Sequence, residues 1–300
     1  MTEPAIHVAG LVKRFGTFTA VDGLDLDVAA GTVHGFLGPN GAGKSTVIRV
    51  LLGLYRATAG HVRVLGLDPA GHAAEVTRRI SYVPGDVSLW PNLTGQEVLD
   101  ALAGLRGSRD TRAERRLVDD FALDTHRRVG TYSKGNRQKV ALVAAFAART
   151  DLLLLDEPTS GLDPLMEELF RRCVREAAAA GRTVLLSSHI LAEVEELCEV
   201  VTIVKDGRLV EAGRLADLRH LAASTITARP GAEHADVVAD RLRQLGVDVR
   251  HEAGVLRLSV PRDRVPAVLG VLADAEAEDI TCTPARLEDL FLRHYAVAAR

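Results

Sequence analysis

A glycine-rich segment, residues 38–46 (GPNGAGKST), carries residue types whose spacing suits phosphate binding. It matches the pattern G-x-x-x-x-G-K-[ST], in which glycines turn the backbone tightly and aim successive N–H groups at nucleotide phosphates. Lys44 supplies a positive charge to those phosphates, and the Ser45 hydroxyl can hold Mg²⁺. We call this segment the P-loop and predict that it binds a nucleoside triphosphate. The predicted contacts are Gly38, Pro39, Asn40, Gly41, Ala42, Gly43, Lys44, Ser45 and Thr46.

Two acidic residues, Asp156 and Glu157, directly follow the all-leucine run Leu152–Leu155. An acid at the tip of such a strand lies at the carboxyl edge of a sheet, where the nucleotide sites of open α/β folds occur. We expect Asp156 to hold Mg²⁺ through water, and Glu157 to polarise the water that attacks the γ-phosphate. Strand-end carboxylates often only cap the next helix, but the P-loop upstream favours the catalytic assignment.

The chain around these residues alternates apolar strand-like runs with helical stretches, which predicts an α/β fold with a mostly parallel sheet. Val33–Leu37 should enter the P-loop as a buried strand, and Ser45–Leu54 should leave it as a helix whose N-terminus favours a bound anion. Residues 85–150 lack strand signals and predict an inserted helical subdomain. The other predicted strands are Ile6–Leu11, Leu24–Val28, Ile80–Val83, Leu152–Leu155, Thr183–Ser187, and a hairpin of Val201–Val204 with Leu209–Glu211.

After about residue 221 the pattern starts again, in the order β-α-β-β-α-β. This order is typical of a ferredoxin-like module, here closed by a predicted helix, Leu287–Tyr295. We therefore predict a nucleotide-binding domain at residues 1–220 and a small accessory α+β domain at residues 221–300. The elements predicted in the second domain are strands Thr225–Ala228, Val247–His251, Leu256–Val260 and Ile280–Thr283, and helices Ala235–Leu245 and Val265–Ala275.

The composition predicts a globular protein that works outside the lipid of a membrane. Of its 300 residues 47% are hydrophobic and 26% are charged, which is enough for one large core or two smaller ones. The formal net charge of −3 argues against a general affinity for nucleic acid. The longest apolar run, Val140–Ala148, is far shorter than a membrane span, and the first residues lack the apolar core of a signal peptide. The cysteines are expected to be buried thiols of a reducing compartment: Cys173, Cys198 and Cys282.

Residues 132–138 (YSKGNRQ), which we call the signature segment, resemble the LSGGQ signature of ATP-binding-cassette (ABC) ATPases. Ser133, Gly135 and Asn136 occupy its second, fourth and fifth positions. A serine hydroxyl, backbone N–H groups and the N-terminus of the following predicted helix (Arg137–Arg149) suit contact with a phosphate.

Three further segments resemble the same family. Residues 160–163 (SGLD) are similar to its D-loop, and residues 185–189 (LLSSH) to the strand that ends in its switch histidine. Phe15 occupies the position of the aromatic residue that stacks on adenine. All these motifs occur in the family's order across residues 6–215, so the resemblance covers most of the chain.

The resemblance implies ATP and Mg²⁺ as ligands, with Lys44, Glu157 and His189 as the catalytic residues. It also implies that Asp163 of the D-loop binds nucleotide, and that the signature segment faces the γ-phosphate held by the P-loop of a second copy. The chain carries one P-loop and one signature segment, so a homodimer would be needed to complete two composite sites.

The sequence departs from the family pattern at two places. In the signature segment, Lys134 replaces a glycine and Asn136 is a shorter amide than glutamine. After the strand Ile80–Val83, the glutamine expected to touch Mg²⁺ is absent and Gly85 stands in its place. Asp86, one position later, is our candidate to replace it as a metal-linked residue. The alternative is that Gly85 needs positive φ and Asp86 only caps the next helix.

Several functional classes share these motifs. We favour the ATPase subunit of a bacterial membrane transporter, bound to the cytoplasmic face of the membrane through separate permease subunits. A soluble ABC ATPase of translation or DNA repair, an importer ATPase and a P-loop kinase are the alternatives. Residues 284–295 (PARLEDLFLRHY) resemble the tail of exporter ATPases in the daunorubicin-resistance and multidrug branch. This resemblance implies export of drugs, other small molecules or lipids.

Overall fold

The P-loop and the other nucleotide motifs lie in a part of the chain built on a mainly parallel sheet. The computed structural model describes residues 3–107, 109–221, 224–231, 235–252 and 254–283. Contacts divide the chain into two compact units, separated in sequence between Gly213 and Arg214. The predicted helix Leu287–Tyr295 and the exporter-like tail lie outside the described residues.

The first unit contains two sheets with helices around them. Its strands are β1 (Ile6–Phe15), β2 (Phe18–Val28), β3 (Val33–Leu37), β4 (Ala59–Val64), β5 (Ile80–Val83), β6 (Leu152–Asp156), β7 (Thr183–Ser188), β8 (Val200–Lys205) and β9 (Arg208–Arg214). Its helices are α1 (Lys44–Leu51), α2 (Ala73–Arg78), α3 (Gly95–Arg106), α4 (Thr111–Asp120), α5 (Lys134–Phe146), α6 (Pro164–Ala179) and α7 (Leu191–Leu197). The antiparallel sheet has the order β2-β1-β4, and the larger sheet has the order β5-β6-β7-β3-β8-β9.

The order of the larger sheet brings three chemically important strand ends together. β7 pairs in parallel with β3 on one side and with β6 on the other. The register sets Leu37 opposite Ser188, and Asp156 opposite Ser187. The carboxyl ends of β3, β6 and β7 therefore share one edge of the sheet, which also carries the P-loop.

The core of the first unit fixes helix α1 at this edge. Ile48 and Leu51 of α1 belong to one buried cluster with Phe36 of β3, Leu154 of β6 and Leu185 of β7. Burying each such side chain stabilises the fold by roughly 1.5–3 kcal/mol. All side chains of β3 and β6 are buried, as expected for parallel strands that are covered on both faces.

The second unit begins with α8 (Leu215–Leu221) and contains the predicted β-α-β-β-α-β order. Its elements are β10 (Ser224–Arg229), α9 (Ala235–Gln244), β11 (Asp248–Glu252), β12 (Val255–Val260), α10 (Val265–Asp274) and β13 (Glu278–Thr283). The sheet order β11-β12-β10-β13 is antiparallel throughout. Ile226, Leu256 and Leu258 point to one face of this sheet and pack with Leu242 of α9 and Leu272 of α10. A domain boundary at residue 220 stays a prediction, since contacts group α8 with the second unit.

Several element bounds differ from the sequence predictions. The helix after the signature segment begins at Lys134 rather than Arg137, because the Ser133 side chain accepts a hydrogen bond from the backbone N–H of Asn136 and caps it there. Helix α1 ends at Leu51 rather than Leu54, and Gly53 follows with φ 71°, a conformation that commonly ends helices. Strand β4 and helix α2 were not predicted. In the described part of the chain, no helix is long and apolar enough to cross a membrane.

Candidate nucleotide site

The P-loop passes so close to two neighbouring strands that two of its positions have room only for glycine. A Cβ at Gly38 would lie 2.5 Å from the carbonyl oxygen of Val204 in β8, and one at Gly43 would lie 2.6 Å from that of Ala20 in β2. Gly43 also has φ 99° as the residue before α1, a conformation that favours glycine. The glycines of the pattern therefore shape the loop in two ways: they allow it to pack against β2 and β8, and they allow its backbone to turn tightly.

The turn of the β8–β9 hairpin also contacts the P-loop. Asp206 and Gly207 both have positive φ, as a two-residue Asp-Gly turn requires in the predicted hairpin. The backbone N–H of Gly207 donates to the carbonyl of Ala42 at 3.1 Å. The loop is thus fixed by backbone contacts with β2, β8 and the hairpin turn.

Lys44 is a buried cation at the centre of the site. Its Nζ donates to the carbonyl oxygens of Gly38 at 2.7 Å and Pro39 at 3.1 Å, and lies 3.5 Å from Oε1 of Glu157. Burial lowers the pKa of Lys44, and the nearby carboxylate of Glu157 opposes that shift. A charged ammonium in this low-dielectric position gains from an approaching phosphate, because charge interactions are stronger there than in water.

The acid pair at the end of β6 is held by β7. Oδ1 of Asp156, which is buried, accepts a 2.9 Å hydrogen bond from the Ser187 hydroxyl. The N–H of Glu157 donates to the Ser187 carbonyl at 2.9 Å, and Oε1 of Glu157 lies 3.3 Å from Nδ1 of His189. The Glu157 carboxylate therefore lies between the ammonium of Lys44 and the ring of His189. Three residues predicted to be catalytic meet at one carboxyl edge.

A cavity of about 280 Å³ opens over the P-loop, with Glu157 and Phe18 in its wall. Phe15, the predicted adenine-stacking residue, instead packs edge-on against Tyr55 with ring centroids 5.3 Å apart. Phe18 is 65% exposed and was not singled out from the sequence, although an aromatic residue beside a Gly-Thr turn was a visible signal. Stacking of Phe15 on adenine stays a prediction. Phe18 is a second candidate for the aromatic residue that stacks on adenine.

The signature segment forms the N-terminus of α5 and supplies no residue to the wall of the P-loop cavity. Ser133 and Asn136 meet in the capping hydrogen bond, at 3.2 Å. A Cβ at Gly135 would lie 2.6 Å from the carbonyl oxygen of Gly161, so this position also has room only for glycine. In one copy of the chain, the P-loop and the signature segment are separate surfaces.

Comparisons with known proteins identify the family. Residues 21–160 match the family model described as "ABC transporter". The daunorubicin resistance ATP-binding protein DrrA3 of Streptomyces coeruleorubidus is 37% identical over 97% of this chain and 96% of its own length. The chain belongs to the ABC transporter family. The daunorubicin/doxorubicin resistance ATP-binding protein DrrA of Streptomyces peucetius is 36% identical over 97% of this chain and 93% of its own length.

Solved structures agree with this assignment. The ATP-binding subunit of an ABC transporter aligns with a TM-score of 0.68 and 32% identity, over 72% of this chain and 92% of its own length. A dimeric ATP-binding cassette described as a post-hydrolysis state bound to ADP and Pi shares the fold at a TM-score of 0.62 and 23% identity, over 70% of this chain and 98% of its own length. The predicted fold class and the resemblance to the daunorubicin-resistance branch are confirmed, and the protein is an ABC ATPase.

Asp163 has a clear structural role in this ABC ATPase. Its carboxylate caps α6 by accepting hydrogen bonds from the N–H groups of Leu165 and Met166, both at 3.1 Å. N-capping of this kind is worth about 1 kcal/mol. The cap accounts for the aspartate by itself, so contact between Asp163 and a partner's nucleotide stays a prediction.

The position of the missing glutamine lies directly beside the acid pair. A Cβ at Gly85 would be 3.1 Å from the carbonyl oxygen of Asp156 and 3.5 Å from Cβ of Glu157. Gly85 does not have positive φ, and the next helix, α3, is capped by Thr94. The alternative in which Gly85 needs positive φ and Asp86 only caps the next helix is therefore wrong. Asp86 is exposed, and its link to a metal stays a prediction.

The donor chemistry of the site suits Mg²⁺. Ser45 offers a hydroxyl and Asp156 a carboxylate, and Mg²⁺ prefers oxygen ligands, of which the protein commonly supplies one or two beside phosphates and waters. Among the described residues no group of three or more His, Cys, Asp or Glu side chains is placed to hold a metal. The residues present fit an ion that is held jointly with a nucleotide.

Proposed function

We propose that this ABC ATPase powers the export of drugs or other small molecules or lipids across a bacterial membrane. The observation that carries the ATP-hydrolysis part of the proposal is the Glu157 carboxylate, which lies 3.5 Å from Nζ of Lys44 and 3.3 Å from Nδ1 of His189 at the carboxyl edge of the sheet. A carboxylate between two nitrogen groups next to a P-loop is placed to accept a proton from a water that attacks the γ-phosphate.

Each residue has a separate part in hydrolysis. The P-loop N–H groups and Lys44 hold the phosphates, Glu157 polarises the water, and His189 orients the Glu157 carboxylate through the contact at Oε1. Ser45 and Asp156 would hold Mg²⁺, with Asp86 as a further candidate, and the ion would neutralise phosphate charge. Ser187 orients Asp156 by donating to Oδ1.

The working form is a dimer of this chain. Ser133 and the N-terminus of α5 do not line the P-loop cavity of their own chain, and a helix N-terminus favours a bound anion. The dimeric cassette bound to ADP and Pi supports the same assembly through its shared fold. Two composite sites would then form, each with the P-loop of one copy and the signature segment of the other.

The transport role rests on the named relatives. Two are daunorubicin-resistance proteins, and a third is the bacitracin transport ATP-binding protein BcrA of Bacillus licheniformis, 36% identical over 69% of this chain and 68% of its own length. We infer that the chain binds separate permease subunits at the cytoplasmic face of the membrane. Net charge −3 gives no support for a nucleic-acid partner.

Transport by inside-out vesicles tests the proposal. The chain is co-expressed with candidate permease subunits, and ATP-dependent uptake of a panel of amphipathic drugs and fluorescent lipids is measured, with the Glu157→Gln variant as control. We expect ATP-driven accumulation that the variant lacks. Accumulation only in right-side-out vesicles loaded with ATP would mean import, and the same ATP turnover with and without membrane partners would contradict a transport role.

The accessory domain is proposed to support assembly rather than hydrolysis. Residues 221–300 contain no nucleotide motif, and β10–β13 with α9 and α10 close a buried core of their own. A chain that ends at residue 220 should remain folded and bind ATP in a fluorescence titration, while dimerisation or transport weakens. Insolubility of that fragment, with the full chain soluble in the same host, would contradict the boundary.

A further inference from the structure

The turn that carries Glu157 has a conformation that its own sequence disfavours. Glu157 has φ 48°, in the left-handed region that residues other than glycine enter only at a cost in free energy. The turn closes locally through the N–H of Ser160, which donates to the Glu157 carbonyl at 3.2 Å. Strained backbone of this kind persists only where surrounding contacts hold it. The question is which contacts hold this turn.

Helix α5 supplies such a contact through Gln138. This side chain is fully buried, and its Nε2 donates at 2.8 Å to the carbonyl of Pro158, the residue directly after Glu157. Because a carbonyl can only accept, the contact fixes which end of the amide is nitrogen. The other end, Oε1, has no hydrogen-bond partner among the described atoms. A buried amide left half satisfied costs free energy, so its presence here points to a role beyond stability.

The first residues of α5 contact the same segment at Ser160 and Gly161. Nζ of Lys134 donates to Oγ of Ser160 at 2.7 Å, and Gly135 packs against the carbonyl of Gly161. Contacts from α5 positions 134, 135 and 138 therefore reach residues 160, 161 and 158 in the turn. Lys134 stands where the LSGGQ pattern has glycine, so that pattern does not account for this ammonium contact.

We propose that Gln138 and Lys134 are positioning residues for hydrolysis, which hold the turn 157–160 so that the Glu157 carboxylate stays between Lys44 and His189. The inference rests on the proposed role of Glu157. A small displacement of a catalytic group can lower turnover by about a hundredfold without loss of binding. The expected signature is therefore a fall in kcat with an unchanged KM for ATP.

Gln138→Met in the full chain tests the larger contact. Methionine has nearly the same length and removes both polar atoms, so the unpartnered Oε1 is removed but the buried Pro158 carbonyl loses its donor. Because these two changes oppose each other in free energy, we expect only a small fall in the melting temperature. We expect kcat to fall by about 10- to 100-fold, with KM for ATP unchanged. In the Glu157→Gln background the same change should add no further loss, because residues that act through one group are not additive.

Lys134→Met tests the contact between Lys134 and Ser160. Lys134 is exposed, so we expect the substitution to leave the fold intact. We expect a fall in kcat of about twofold to tenfold, equal to that of Ser160→Ala and not deepened in the double variant. Lys139→Met, on the same helix, is the matched control and should leave kcat unchanged.

Separate outcomes distinguish this inference from the proposed function. Normal kcat in both Gln138→Met and Lys134→Met, beside an inactive Glu157→Gln, would overturn the inference alone. An equal fall in kcat from Gln138→Met in the wild type and in the Glu157→Gln background would also overturn the inference alone. Near-normal turnover in Glu157→Gln would remove the proposed catalytic base, and the inference with it.

Discussion

The P-loop edge and the signature segment, both of which we propose to contact phosphate, are built in different ways. At the P-loop edge, one chain brings a buried cation, a carboxylate and a histidine together, with Glu157 Oε1 within 3.5 Å of both nitrogen groups. The signature segment offers a helix N-terminus that is capped by Ser133, and its Lys134 side chain contacts Ser160 of the D-loop. In the proposed function, the first surface supplies the groups for chemistry and the second supplies groups for recognition. One copy of the chain would then not be sufficient to complete a site.

The largest expected effect is at the P-loop edge. Lys44→Ala removes the buried ammonium that compensates phosphate charge. Truncating one partner of a buried, hydrogen-bonded charge pair costs about 2–5 kcal/mol, so ATP affinity should fall by at least about 30-fold and turnover should be lost. Titration with a fluorescent ATP analogue measures the affinity. ATP binding as tight as in the wild type would contradict the assignment of Lys44.

Glu157→Gln separates chemistry from binding at the same edge. The amide keeps the size of the side chain but loses the basic carboxylate, so turnover should fall by about 10²–10⁴-fold. ATP should still bind, and an ATP-stabilised dimer should accumulate, which light scattering detects with and without ATP. Near-normal phosphate release by the purified variant would exclude Glu157 as the base.

The smallest expected effect is at the edge of the site, next to Gly85. Asp86→Ala removes an exposed carboxylate one residue from the backbone that packs on the acid pair. We expect the Mg²⁺ concentration needed for half-maximal hydrolysis to rise about twofold to tenfold, because carboxylates are good ligands for this ion. Affinity for ATP without metal should not change. An identical Mg²⁺ titration for variant and wild type would end the metal assignment of Asp86.

The P-loop edge could be predicted from the sequence because its signals are local. The P-loop pattern, the apolar run before Asp156 and the Asp-Gly hairpin turn each occupy a few consecutive residues. The parallel sheet then brings the ends of separate strands to one edge, which is a general property of the fold.

The contacts that hold these groups could not be predicted, since they join distant parts of the chain. The Ser187 hydroxyl reaches Asp156 across two paired strands, and the Gln138 amide reaches Pro158 from another helix. Neither residue type at its position carries a local signal. The predicted start of α5 at Arg137 was wrong for a different reason. Ser133 is a residue type that commonly caps helices, so the start at Lys134 could have been predicted from the sequence.

A mixing experiment with two inactive variants tests the central claim, that the P-loop of one copy works with the signature segment of another. Lys44→Ala removes the cation from both sites of a dimer. Ser133→Phe places a bulky side chain at an exposed signature position and blocks both sites from the other side. In a mixed dimer one site carries both changes and the other carries neither.

ATP turnover is measured for each variant alone and for an equimolar mixture. We expect the mixture to regain up to about a quarter of the wild-type rate, because half of the dimers are mixed and each keeps one of two sites. A mixture no more active than the average of the two separate variants would contradict composite sites between copies.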